Sequence, residues 1–414
     1  MATKVLDLDL ERLPASVDGL EGYEHALIIF RYRGRPVGRE RLPVCKGRIS
    51  SADLVAASVL TDDWYMLEQR LLRDYLEWDE VDINLPAPEP ESATVAVCTR
   101  DRPKDIERCL DAFMRMPDDG QEFLVVDNCP SSDDTKQIVA RYGDRVRYVR
   151  EEKQGLNNAR NRAVKEAKHD IVAFNDDDAV PDPDWLRALI RDFRDPLVVC
   201  VTGLTMPLEL ETEAQEWFER ISPFQRGFKR VIFDSEKIHP LSAHRVGAGA
   251  NMALRRSVFD LVGPFDPALD VGTPTRSGGD TEMFARILES GYRIVYEPAA
   301  LSWHRHRRDW EDLRNTIFGY GTGVYANWAK QLLRNREFAV FLYAWFWLFQ
   351  DQLPGLVRSL LRWPGSVPLD LVLAELRGCV AGPIAYARSR RIQQKRIDRG
   401  EQTNALHQCG YTNS

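Results

Sequence analysis

Three consecutive carboxylates, Asp176, Asp177 and Asp178, close the apolar run "DIVAF" and precede "AVPDPDW". Like charges this close repel, and each resists losing its water. Two arrangements tolerate them. One is a solvated acidic turn, of the kind that Asp before Pro often makes; the other is a bound divalent cation. In an extended backbone alternate side chains share a face, so Asp176 and Asp178 are expected on one side, about 6–7 Å apart. One carboxylate then binds a hard cation, while another holds a ribose hydroxyl or a metal-bound water. Mg²⁺ and Mn²⁺ suit oxygen ligands and keep positions open for substrate phosphates.

Such a cluster needs a scaffold to present it, and the flanking sequence supplies one. "TVAVC" (94–98), "EFLVVD" (122–127), "VRYVR" (146–150) and "DIVAFND" (170–176) read as strands. Between them, "KDIERCLDAFMRM" (104–116), "SDDTKQIVARY" (132–142) and "LNNARNRAVKEA" (156–167) carry helical spacing. The βαβαβαβ order predicts an α/β fold, a Rossmann-like, mostly parallel sheet with helices on both faces. Ligands of such sheets bind at the carboxyl ends of the strands. "CTRDRP" follows the first strand, Asp127 ends the second, Gly155 precedes the third helix, and the three aspartates end the fourth strand. Four polar clusters thus map to one edge of one sheet. That convergence favours the cation over the solvated turn.

The segment from about 92 to 310 resembles a family 2 glycosyltransferase of the GT-A fold. The stretches that carry the likeness are "VAVCTRDRP", "FLVVDNCPSSDDT", "GLNNARNRAV", "IVAFNDDDAVPDPDWL", "GAGANMALRR" and "GPFDPALDVGTPTRSGGDTEMFARILESGYRIVYEPAALSWHRHR". They cover roughly half the chain, in family order. The resemblance implies that Thr99, with Arg100 or Arg102, lines the base pocket of a nucleotide. Asp127 accepts a hydrogen bond from the base, and Arg160 lies near the nucleotide. Asp177 and Asp178 match the DxD-type site, with Asp178 on the metal and His304 a further metal or diphosphate ligand. His306, beside arginines, is read as a solvated residue. Asp280 in "GGDTEMF" matches the catalytic base; Gly279 stands where the family usually has Glu, and Glu282 keeps the following acid. The implied reaction is inverting transfer of a sugar from a nucleotide-diphosphate donor, with a lean to UDP, to an acceptor hydroxyl. A carboxylate serves as general base, Mn²⁺ or Mg²⁺ neutralises the leaving diphosphate, and the anomeric carbon passes through an oxocarbenium-like state.

Two rival readings share parts of this pattern. A non-catalytic nucleotide-sugar-binding or scaffold protein needs the sheet and Asp127 but not "GGDTEMF". A metal-dependent nucleotidyltransferase wants a Gly-rich loop after the first strand, where "CTRDRP" has no glycine.

The remaining sequence frames this domain. Residues 1–85 read as a small N-terminal α+β unit. "HALIIFRYRGRPVGRERLPV" is a hairpin pattern, and a helical pattern runs from Ser51 to Trp78. "NLPAPEPES" (84–92) reads as a linker, and residues 311–414 as a helical, aromatic and basic extension. Six of the ten tryptophans fall between positions 303 and 363, and "ARSRRIQQKRIDRG" follows. Aromatic then basic sequence fits a peripheral seat at a membrane surface, and with it a glycan or lipid-linked acceptor. The N-terminus lacks signal-peptide character. The longest apolar run, "FAVFLYAWFWLF" (338–349), rises about 18 Å as helix, short of a membrane core of about 30 Å. Seven cysteines with no CxxC pair fit free thiols in a reducing cytoplasm, and so a cytoplasmic protein, peripheral at the inner face of the membrane. A net charge of −7 argues against nucleic acid as a partner.

Overall fold

A computed structural model describes residues 2–60, 71–72 and 92–409. The linker at 84–91 and the helical pattern beyond Leu60, apart from residues 71–72, lie outside the described residues. The chain divides into two compact units, each discontinuous in sequence. One holds residues 1–150, 162–263 and 284–313; the other holds 151–161, 264–283 and 314–414.

The strands of the first unit are β1 (Thr3–Asp9), β2 (Ser16–Val17), β3 (His25–Tyr32), β4 (Arg35–Pro43), β5 (Ile49–Ser50), β6 (Ala93–Thr99), β7 (Glu122–Asn128), β8 (Val146–Glu151), β9 (Ile171–Asn175), β10 (Ala179–Pro181), β11 (Val198–Pro207), β12 (Val231–Phe233), β13 (Asn251–Arg255) and β14 (Arg293–His304). The central sheet runs β10-β14-β11-β13-β9-β6-β7-β8, with β12 also on β14. β6 pairs parallel with β7 and with β9, as the alternating pattern predicts. The other half departs from simple alternation: β13 is antiparallel to both β9 and β11, while β11 and β14 are parallel. β10 is antiparallel to β14, and the pair Ala179↔His304 carries His304 to the aspartates that precede β10.

Apolar runs make these strands because both faces are covered; every residue of β11 is buried. The helix Pro103–Phe113 starts on a proline and spaces Ile106, Cys109, Leu110 and Phe113 along one face. That face joins Val95, Val97, Val125, Trp185 and Leu189 in the main core.

The N-terminal strands form their own sheet, β1-β3-β4. β3 and β4 meet at Arg33 and Gly34, both at positive φ, the geometry of a two-residue hairpin turn. One face of β3 (Ala26, Ile28, Phe30) packs with Leu54 and Ala57 of the helix Ser51–Leu60. The other (Leu27, Ile29) packs on Leu204, Met206, Tyr296 and Leu301 of the central sheet. Arg39–Glu219 and Arg41–Glu216 pairs, at 2.5 and 2.6 Å, rim that contact.

The second unit is mainly helical. Its long elements are Trp310–Asn335 and Leu369–Cys409, with the shorter helices Ala339–Trp347 and Leu353–Leu360 between them. A Cβ on Gly321 would meet the carbonyl of Glu375 at 2.5 Å, and one on Gly378 that of Phe318 at 2.2 Å. Gly321 of "FGYGTG" and Gly378 and Gly382 of "RGCVAG" therefore let two helix backbones touch. No helix among the described residues is long and apolar enough to cross a membrane. Cys45, Cys98, Cys109, Cys129, Cys200 and Cys379 are free thiols.

Candidate active site

The aspartates do not lie in extended backbone, as the alternation argument supposed. After β9 the chain folds into a tight turn, in which the Ala179 amide donates to the Asp176 carbonyl at 3.1 Å. A turn, rather than strand pleating, puts Asp176 and Asp178 on one side. Ligand atoms of Asp176, Asp178 and His304 all fall within 4.8 Å of one another.

Asp177 is not part of this group, though Arg102 Nη1 bridges it to Asp178. It is buried, accepts from the Thr99 hydroxyl at 2.7 Å, and pairs with Arg102 at 2.9 Å. Burial pushes its carboxyl up, against the pull of Arg102. Asp178 is buried too, a cost that would raise its pKa, yet His304, Arg307 and Arg102 hold it well below the usual carboxylate range. His304 Nε2 lies 3.1 Å from Oδ1, while Arg102 and Arg307 lie 3.0 and 3.3 Å from Oδ2. Burial lowers the His304 pKa, but Asp178 outweighs it and the net direction is up.

Asp127 is opposite Thr99 in the β6–β7 register and is fully buried. Its Oδ2 accepts from Tyr148 at 2.8 Å; its Oδ1 is buried with no hydrogen-bond partner. Burial raises this carboxyl. A lone buried acceptor is costly unless a ligand completes it. Arg100 is exposed and 3.5 Å from Asp101.

In the second unit, Asp280 is half-buried in the first turn of the helix Gly279–Glu289, and its Oδ1 accepts from the Thr281 amide at 2.7 Å. Glu282 is fully buried and pairs at 2.7 Å with Lys330, which also pairs with Asp266 at 2.7 Å. Of the two acids in the motif, Glu282 is thus committed to structure. The missing glutamate has a steric reason: a Cβ at Gly279 would stand 2.3 Å from Asn157 Nδ2 and 2.5 Å from Asp270 Oδ2. Arg160, expected near the nucleotide, is buried, paired with Asp270 at 2.8 Å and stacked over Phe265. It braces the loop that leads to Asp280.

Residues 94–263 match the model of Glycosyl transferase family 2. This segment is a family 2 glycosyltransferase domain. The chain is 27% identical over 280 residues to a pre-mycofactocin glycosyltransferase of Mycobacterium tuberculosis, a match covering 64% of this chain and 52% of that protein. It thus spans about half the length of that relative. It is also 27% identical over 259 residues to glycosyltransferase AglE of Haloferax volcanii, covering 61% of this chain and 78% of that one. Among solved structures it is similar to the mannosyltransferase PcManGT of Pyrobaculum calidifontis, a complex with GDP-Man and Mn²⁺. That likeness is at 19% identity and a TM-score of 0.48, over 78% of this chain and 93% of that one.

Beyond the matched segment, the cluster around Asp178 also contains residues that sequence reasoning missed. His306 is not solvated: it is 2% exposed, with Nε2 3.1 Å from Glu219 and Nδ1 3.2 Å from Nδ1 of His304. Glu219 can only accept while ionised, so His306 donates from Nε2 and its Nδ1 is a lone pair. His304 must then donate from Nδ1, which leaves Nε2 directed at Asp178. Arg307, also missed, puts a second guanidinium on Asp178. The only signal for either was the crowding of "HRHRR". The donor set of two carboxylates and one imidazole, with Asp178 and His304 buried, Asp176 half-buried and the imidazole's far side fixed, fits a divalent cation.

Proposed function

We propose that the transferase domain moves a sugar from a nucleotide-diphosphate donor to an acceptor hydroxyl, with inversion and with a divalent cation. The observation that carries this reading is the convergence of Asp176, Asp178 and His304 at the strand ends that also hold the unpartnered Oδ1 of Asp127. The three ligands would hold the cation, which when bound offsets charge developing on the diphosphate. An imidazole among them favours a transition metal such as Mn²⁺ over Mg²⁺, which prefers all-oxygen sites. Asp127 Oδ1 takes an N–H from the base, which suits the imide edge of a pyrimidine, with a lean to UDP as the donor. Thr99 and Arg100 flank that end. Arg102 and Arg307 add positive charge for phosphates. Asp280 removes the acceptor proton, and one carboxylate base with no carboxylate nucleophile gives inversion. The acceptor is a glycan or a lipid-linked glycan.

The test is calorimetric titration with UDP, GDP and dTDP, each with and without Mn²⁺, followed by a sugar-transfer assay. Metal-dependent binding of one nucleotide is expected. Asp178→Ala should abolish it, whereas Asp280→Asn should keep it and lose transfer by about 10²–10⁴-fold. Nucleotide binding by the native chain with no turnover of any nucleotide sugar would favour a non-catalytic binding protein.

A further inference from the structure

The helical segment Ala339–Leu360 wears its apolar side outward. Phe338, Phe341, Leu342, Trp345, Phe346 and Phe349 are exposed and recur at helical spacing, so they form one stripe. Past a wider π turn at Leu348–Gln352, Val357, Leu360, Leu361 and Trp363 continue it. The exposures are large: 68% for Phe338, 58% for Trp345, 62% for Trp363. The inner side is already occupied: Val340, Gln352 and Ser359 are buried, Trp347 packs against Tyr325 and Trp328, and Gln352 reaches the Cys379 sulfur at 3.1 Å, so the outer stripe is apolar surface left over. A helix side that meets water is ordinarily polar.

The charges around the stripe choose its occupant. Arg334 and Arg336 stand exposed before it, and Arg358 and Arg362 at its far end; between Phe338 and Trp363 the only acid is Asp351. A second copy paired about a two-fold axis would bring arginines against arginines. An anionic bilayer supplies both the apolar layer and the countercharge, and tryptophan and arginine suit its boundary. With no spanning helix among the described residues, the segment would lie along the surface. We infer that the Phe338–Trp363 face docks in the interface of an anionic lipid bilayer. This goes beyond the transfer chemistry and is independent of it.

Flotation of the full chain with phosphatidylcholine vesicles, with and without phosphatidylglycerol, tests this. The native protein is expected to float with vesicles, and better with phosphatidylglycerol. Phe341→Glu combined with Trp345→Glu should cut the bound fraction by more than roughly tenfold on both vesicle types. Arg358→Glu with Arg362→Glu should remove only the phosphatidylglycerol preference. All of these side chains are exposed, so an unchanged far-ultraviolet circular dichroism spectrum and nucleotide titration certify the fold and leave the transfer reading untouched. Failure of the native chain to float overturns the inference. So does a sedimenting dimer, present without lipid and broken by the two glutamates, that ignores vesicles; the occupant would then be a second copy.

Discussion

His304 faces a carboxylate on one side and a second imidazole on the other, and the second imidazole is what decides its form. With His306 anchored on Glu219 and Glu219 in turn on Arg39, the hydrogen-bond polarity runs in one direction only. The lone pair of His304 Nε2 is available when the ring is neutral, and no rotation of the ring is needed to present it. His306→Gln should therefore weaken Mn²⁺ affinity by about 10–100-fold while the fold stays intact. Glu219→Gln, which can still accept at its oxygen, should lie between the variant and the native chain. Calorimetric Mn²⁺ titration with the thermal transition measured alongside would check both. Native Mn²⁺ affinity in the His306 variant would mean that the pair only fills space.

At the scale of elements, the parallel half of the sheet was legible because each strand there is a continuous apolar run and each connection is a helix with its own spacing. β6, β7, β8 and β9 fall within a residue or so of the positions their sequences predict. The other half was not legible, because β11 pairs with strands some fifty and ninety residues away, and no local pattern encodes a partner that distant. The aspartate turn shows a subtler limit: alternation put Asp176 and Asp178 on one side by pleat geometry that the backbone does not follow there, while the family resemblance pointed to Asp177 and Asp178. The motif "GGDTEMF" stood out by its family resemblance, but the reason for its first departure was not legible. Gly279 is glycine because Asn157 and Asp270 close over it, each held by its own bonds to Asp266 and Arg160. Restoring the family residue should therefore harm this protein. Gly279→Glu is expected to lower the denaturation midpoint and cost more than about 1 kcal/mol, as overpacking does. Equilibrium unfolding in urea would measure it. A neutral effect would show that the loop can open to make room.

For the whole molecule, the question is what residues 1–60 contribute. Their sheet has its own small core, yet Leu27 and Ile29 are built into the apolar face of the central sheet. The two sheets should then unfold together. Ile29→Ala is expected to destabilise the unit by about 2–5 kcal/mol, with tryptophan fluorescence and circular dichroism moving in one transition. An early, separate transition would mean that the N-terminal sheet is an independent module resting on the first.

The outward-facing stripe sits on a chain of net charge −7, and the two make opposite demands of dissolved ions. At about 0.01 M ionic strength, fields reach about 30 Å, so an anionic vesicle feels the acidic body as well as the arginine rim; at about 0.15 M they reach about 8 Å, and only the rim counts. Adhesion to such vesicles should therefore pass through a maximum as salt is added, rising while the body is silenced and falling as the rim is silenced in turn. The apolar contact should remain as a floor that salt does not erase. A salt series in the flotation experiment would trace the curve, and a steady fall from the lowest salt would show that the body's charge never reaches the lipid.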